Sequence, residues 1–138
     1  MTKIIVFDEA HDSRTAINDN SSVGFSRFAK LLSESGYTVK ALCRKADYSS
    51  LLRDADIFII SFPTAEFSDS ELITIKEFVK RGKGLLLIAD WGNIFDHATV
   101  LNKISSMFGI LFNDDRIADT EEFYNRKKDF MGTVFEEG

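Results

Sequence analysis

Three short segments in which every residue is apolar constrain this chain more than anything else in it: Ile4-Ile5-Val6-Phe7, Ile57-Phe58-Ile59-Ile60 and Leu85-Leu86-Leu87-Ile88. A strand with one face in water alternates apolar and polar residues. A run that is apolar at every position suits a strand covered on both faces, as in a parallel sheet sandwiched by helices. Between these runs, apolar residues recur at helical spacing: Phe25, Phe28, Leu31 and Leu32 in one segment, Leu72, Ile75, Phe78 and Val79 in another. Strands that alternate with helices imply right-handed βαβ crossovers.

Punctuation residues set the expected boundaries. Strands are predicted at Lys3–Phe7, Tyr37–Cys43, Ile57–Ile60 and Gly84–Ala89, with short ones at Ile110–Phe112 and Thr133–Phe135. A helix over Val23–Ser35 would be capped by Ser21 or Ser22 and ended by Gly36. Tyr48–Arg53 reads as a short helix. Ser68-Asp69-Ser70-Glu71 is a capping box that opens a helix running to Gly82. A last helix is predicted over Ala98–Phe108, ended by Gly109. The chain is therefore expected to be one α/β domain over residues 1–138. It would have three layers, a doubly wound and mostly parallel sheet in flavodoxin-like strand order 2-1-3-4-5, and a short C-terminal extension. Ligands of such sheets bind at the carboxyl ends of the strands, where the order reverses. The rim of that crevice is predicted at Asp8 to Asp12, Ser61 to Phe67 and Asp90 to Asp96.

Composition removes several function classes. The 138 residues are 44% hydrophobic and 28% charged, enough apolar surface for a core without disulfides or structural metal. A net charge of −5 disfavours nucleic acid and anionic membrane surfaces. One cysteine, Cys43, allows no disulfide within the chain and suits a reducing, cytoplasmic setting. The apolar runs are strand-sized, so neither a signal core nor a membrane-inserted helix is expected. No Gly-x-Gly-x-x-Gly follows the first strand, and the acids from Asp8 to Asp12 would repel phosphate, so no nucleotide or flavin cofactor is expected.

The stretch Leu86-Leu87-Ile88-Ala89-Asp90-Trp91-Gly92 resembles the nucleophile elbow of the class I glutamine amidotransferase-like superfamily. Active members carry a cysteine at that tip; here Asp90 stands in its place. The chain is more similar to non-catalytic members of this group, found in auxiliary components of gliding-motility ABC transporters and at the start of an intraflagellar transport protein. The features that carry this likeness are Asp8-Glu9-Ala10-His11, Gly24-Phe25-Ser26, Asp56 with its strand, Phe67-Ser68 with Glu71-Leu72, Phe78-Val79 with Gly82, Phe108-Gly109-Ile110 and Phe112-Asn113-Asp114-Asp115. The resemblance implies the flavodoxin-like architecture and an inactive elbow.

The residues allow two readings of the crevice. A carboxylate at position 90 is a poor nucleophile towards amides, since its acyl product would be an anhydride. In the first reading Asp8, His11, Ser61, Pro63, Asp90 and Trp91 line a non-catalytic site for a small polar ligand or a protein segment. In the second, Asp8, His11 and Asp90 hold a metal-bound water for hydrolysis, with Asp8, His11 and Asp12 as the nearest metal-ligating set. Cys43 beside Arg44 and Lys45 has the neighbours of a reactive thiol, though a lone cysteine usually serves as a small hydrophobe. His97 is expected to be structural, while Trp91 and Phe95 read equally as packing residues or as an aromatic anchor. Homodimerisation through a sheet edge or an aromatic helix face is a further option.

Overall fold

The computed structural model describes residues 1–115. Two of the three apolar runs form the centre of one sheet, and the third forms its edge strand among the described residues. Strands β1 (Ile4–Asp8), β2 (Thr38–Leu42), β3 (Ile57–Ser61) and β4 (Gly84–Ile88) lie in the order β2-β1-β3-β4, and every neighbouring pair is parallel. β1 and β3 are the interior strands and are buried almost throughout, which is why their sequences do not alternate. β2, at the edge, does alternate over its first four residues: Thr38 and Lys40 are exposed while Val39 and Ala41 are partly buried. The register is pinned below the sheet by Asp56, which accepts the Ile4 amide at 2.9 Å and pairs with Lys83 Nζ at 2.9 Å.

Four helices cover the two faces of the sheet among the described residues: α1 (Ser26–Glu34), α2 (Tyr48–Asp54), α3 (Asp69–Lys80) and α4 (His97–Ser105). α1 packs Phe25, Phe28 and Leu32 against Ile5, Phe7 and Ile59. The Phe7, Phe25 and Phe28 rings meet edge to face, at centroid distances of 5.7–6.2 Å. The opposite face is larger. There Tyr48 and Leu52 of α2, Ile75 and Phe78 of α3, and Val100, Leu101 and Ile104 of α4 bury Val6, Phe58 and Ile60. Each fully buried aliphatic or Phe side chain of this kind contributes about 1.5–3 kcal/mol. Both faces are thus covered over β1 and β3, in three layers, while Leu86 of the edge strand β4 is exposed. No helix among the described residues is long and apolar enough to cross a membrane.

The capping box forms as expected. The Ser68 hydroxyl accepts from the Glu71 amide at 3.3 Å, and Glu71 Oε2 accepts from the Ser68 amide at 2.7 Å. Two expectations fail. α1 starts at Ser26, and neither Ser21 nor Ser22 caps it. Ser21 is held instead by Asp19, whose carboxylate accepts both its amide and its hydroxyl. Such local side-chain bonds compete with helix initiation. Gly24 then passes so close to Asp19 that a Cβ would lie 2.1 Å from the Asp19 carbonyl oxygen. The second failure is the strand predicted at Ile110–Phe112, which is irregular, so four strands and not five are present among the described residues. Asn102 of α4 takes the bonds a strand partner would have made. Its Oδ1 accepts the Phe112 amide at 2.7 Å and its Nδ2 donates to the Phe112 carbonyl at 3.0 Å. The strand expected at Thr133–Phe135 lies outside the described residues.

Candidate functional site

Unusual backbone gathers at the carboxyl end of the sheet. Five non-glycine residues hold a left-handed conformation, Asp12, Phe62, Asn93, Phe95 and Asp96, with φ between 48 and 62°. They stand in the loops that follow β1, β3 and β4. Each costs about 1–3 kcal/mol and persists only where its surroundings dictate it. Asn93 shows how. In the turn over Trp91–Asp96 its Oδ1 accepts the Thr99 amide at 3.0 Å and its Nδ2 donates to Thr99 Oγ1 at 2.8 Å. It thereby does for α4 what the adjoining Asp96 side chain does not, and it sets His97 at the first helical position.

After β1, Asp8 and His11 meet, as their spacing suggested. His11 Nδ1 donates to Asp8 Oδ2 at 2.8 Å, and its Nε2 lies 3.3 Å from Glu71 Oε2, at ion-pair distance but off hydrogen-bond alignment. The ring stacks on Phe67 with centroids 3.7 Å apart, and its exposure is 0%. Both nitrogens therefore face carboxylates inside the protein and neither is turned to solvent. Burial raises the Glu71 pKa, but the Ser68 amide and hydroxyl together with His11 outweigh it and hold the carboxyl below its ordinary value. Tyr48 is pushed up by burial and by Asp8 and Glu71, so it stays a neutral phenol. This cluster ties the β1 loop to the start of α3. Asp12 is exposed, and among the described residues no group of three or more His, Cys, Asp or Glu is placed to hold a metal ion. An open groove of about 410 Å³ beside it is walled by Lys45, Tyr48, Phe67, Ser68, Glu71 and Thr74. Most of its polar groups are already paired, Ser68 with Glu71, Thr74 with the Ser70 carbonyl and Lys45 with the Glu66 carbonyl.

A second cavity, of about 320 Å³, opens over the ends of β1, β3 and β4. Arg14, Thr15, Phe62, Asp90, Phe95 and His97 line it, with Val23 at its edge. His97 is 2% exposed, and neither ring nitrogen has a hydrogen-bond partner. Burial lowers its pKa; Asp90 opposes that shift and Arg14 adds to it. Phe62 and Phe95 flank the imidazole at centroid distances of 5.6 and 5.8 Å. The Arg14 guanidinium sits 3.8 Å over the Phe95 ring. Thr15 is buried and held in place by hydroxyls: its Oγ1 is 2.6 Å from Ser61 Oγ and 2.8 Å from Ser13 Oγ.

The candidate residues thus divide. Asp90 lines the cavity and is exposed; its backbone is extended (φ −84°, ψ 165°), without the sharp strained turn of a nucleophile elbow. Trp91, its half-buried neighbour, begins the turn that positions His97. Ser61 is buried and supports the cavity through Thr15. Pro63 is buried in the β3 loop. Asp8 and His11 do not line the cavity. Cys43 is exposed, with its thiol 3.6 Å from Glu9 Oε2. Partial burial and the Glu9 carboxylate push that thiol up, away from reactivity. Arg14 and Thr15 were missed because they lie in a polar run with no periodicity. The sequence expects His97 to be structural because nothing in it places the imidazole beside Ser61.

Residues 17–128 match the family model described as "Domain of unknown function (DUF4350)", and the chain belongs to that family. No curated protein matches it. Among solved structures, the chain is similar to the "mmIFT52 N-terminal domain", with a TM-score of 0.73 at 17% identity. That likeness covers 96% of this chain and 53% of the other, so the chain spans about half the length of its structural relative. At this identity the likeness is one of fold.

Proposed function

We propose that this DUF4350 domain is a non-catalytic binding domain, and that a small polar ligand occupies the cavity over β1, β3 and β4. The observation that carries the reading is His97, a buried imidazole with two unpartnered nitrogens on the wall of a cavity. Burying a polar group without a partner costs about 1–3 kcal/mol, so such groups call for a reason. A ligand that bonds the ring supplies one. The strained rim and the topological position agree with this choice. If the domain is an amidotransferase-like relative, as its sequence resemblance suggests, it is one in which the elbow carries a carboxylate on relaxed backbone. No thiol stands beside an imidazole among the described residues, and His97 has no carboxylate bonded to it as a catalytic base would. A mixed library of small polar compounds, screened by thermal melting, tests the reading. Compounds that raise the midpoint of the native chain should lose that effect in Arg14→Gln and Phe95→Ala. Stabilisation that survives both changes, or a library without a single stabilising compound, would overturn it.

A further inference from the structure

The lining of the cavity is specific about charge. One wall carries the Arg14 guanidinium, which rests on Phe95 and makes no ion pair among the described residues. Another carries Asp90, whose carboxylate makes neither hydrogen bond nor ion pair among the described residues. The two do not bridge each other, although both are near enough to His97 to influence its charge. Opposite charges that share a cavity without pairing are complementary to a ligand bearing both signs. A dianion such as a phosphate ester would meet Asp90, and a simple cation would meet Arg14. A wholly apolar molecule would bury both charges with nothing in return, which costs several kcal/mol per ion.

The remaining wall fixes the body of the ligand. Phe62, Phe95 and Val23 provide apolar and aromatic surface. The two unpartnered nitrogens of His97 can between them donate and accept, while the Thr15 hydroxyl, whose proton goes to Ser13, can only accept. A volume of about 320 Å³ stands at the small end of the roughly 300–1,000 Å³ of small-molecule sites, so the occupant is small.

From these features, and resting on the binding reading above, we infer that the cavity takes a zwitterionic α-amino acid with an apolar side chain. Its carboxylate would be received by Arg14, its ammonium by Asp90, and its side chain by Phe62, Phe95 and Val23. Planar guanidinium donors match a carboxylate in two-point geometry, and a ligand of zero net charge leaves the opposed pair of the site balanced. His97 closes the polar arc between the two ends.

The chain holds a single tryptophan, Trp91, next to Asp90, and only two histidines. L-Leucine and L-phenylalanine are titrated into the full chain, followed by tryptophan fluorescence and by the ring resonances of His97. N-acetyl-L-leucine, which lacks the ammonium, and L-leucinamide, which lacks the carboxylate, are titrated in parallel. Saturable binding is expected for the free amino acids, weakened at least tenfold for each blocked form. Asp90→Asn should weaken free leucine at least tenfold yet leave N-acetyl-leucine unchanged. Arg14→Gln should do the same with respect to leucinamide. Both side chains are exposed, so both variants should fold, which circular dichroism verifies. Blocked forms that bind as well as the free amino acid would overturn the inference. So would binding that is indifferent to both substitutions. If amino acids leave His97 unmoved while other library compounds shift it, the zwitterion assignment falls and the cavity stands. If nothing shifts His97, both fall.

Discussion

Replacing His97 with leucine should make the domain more stable while it loses its ligand. Neither ring nitrogen is hydrogen-bonded and the residue is 2% exposed, so the native state bears about 1–3 kcal/mol for an unsatisfied polar group. The substitution gives up aromatic contacts with Phe62 and Phe95, worth about 0.5–1.5 kcal/mol beyond burial. The net expectation at pH 8 is a gain of about 1 kcal/mol, read by urea denaturation, and a melting midpoint higher by roughly 2–6 °C for a chain of this size. The gain should grow in acid. Burial lowers the pKa of His97 in the folded state below its ordinary 6.5, so between the two values the unfolded chain binds more protons. Native stability then falls as pH drops below 6.5, and the loss is complete once pH has passed below the folded value. His97→Leu removes that dependence, so its advantage over the native chain is larger at pH 5 than at pH 8. A destabilisation of more than about 1 kcal/mol at pH 8, or an identical difference at the two pH values, would refute the picture of an unpaired buried imidazole.

Glu71→Ala removes one arm of the capping box and the carboxylate facing His11, and should cost about 2 kcal/mol or more by urea denaturation, with Glu71→Gln costing less. Because the Glu71 pKa is lowered on folding, its contribution is present above the unfolded value of about 4.3 and is lost as pH falls through the folded value. The difference between native and Glu71→Gln chains should therefore shrink in acid melts; a difference that is constant from pH 7 to pH 3 contradicts the assignment. Gly24→Ala places a Cβ against the Asp19 carbonyl and should destabilise by about 1–3 kcal/mol, whereas a neutral effect would mean that the turn before α1 is built differently. Thermal melts with magnesium, manganese or zinc should leave the midpoint unchanged; a saturable rise that Asp12→Asn abolishes would restore the metal reading of Asp8, His11 and Asp12.

The parts of the fold that the sequence announces are those with a local cause. The runs of β1 and β3 report strands covered on both faces, though the equally apolar run of β4 lies at the sheet edge among the described residues, with Leu86 exposed. Ser68 with Glu71 reports a helix start, because hydrogen bonding there depends on neighbours in the chain. The start of α1 was misplaced because Asp19 captures Ser21, a competition that spacing does not reveal. The absent edge strand at Ile110–Phe112 has a distant cause: Asn102 supplies its backbone partners from another element. The site follows the same division. Asp8 and His11, three residues apart, were legible as a pair. Their third member, Glu71, comes from another helix and was recognised only as a cap. Of the rim expected at Asp8 to Asp12, Ser61 to Phe67 and Asp90 to Asp96, Phe62, Asp90 and Phe95 line the cavity over β1, β3 and β4 and Asp8 to Asp12 do not. Arg14, Thr15 and His97 join it through loop conformations held by Ser61, Phe95 and Asn93, which no periodicity encodes.

The two histidines offer the most direct test of where ligands bind, because His97 lines the cavity and His11 is buried behind the wall of the groove beside α3. In a spectrum of the imidazole carbons and nitrogens, titration with a stabilising compound should move the His97 ring and leave His11, enclosed between Asp8, Phe67 and Glu71, where it was. Movement of His11 with His97 unchanged would place the ligand against α3 and contradict the account.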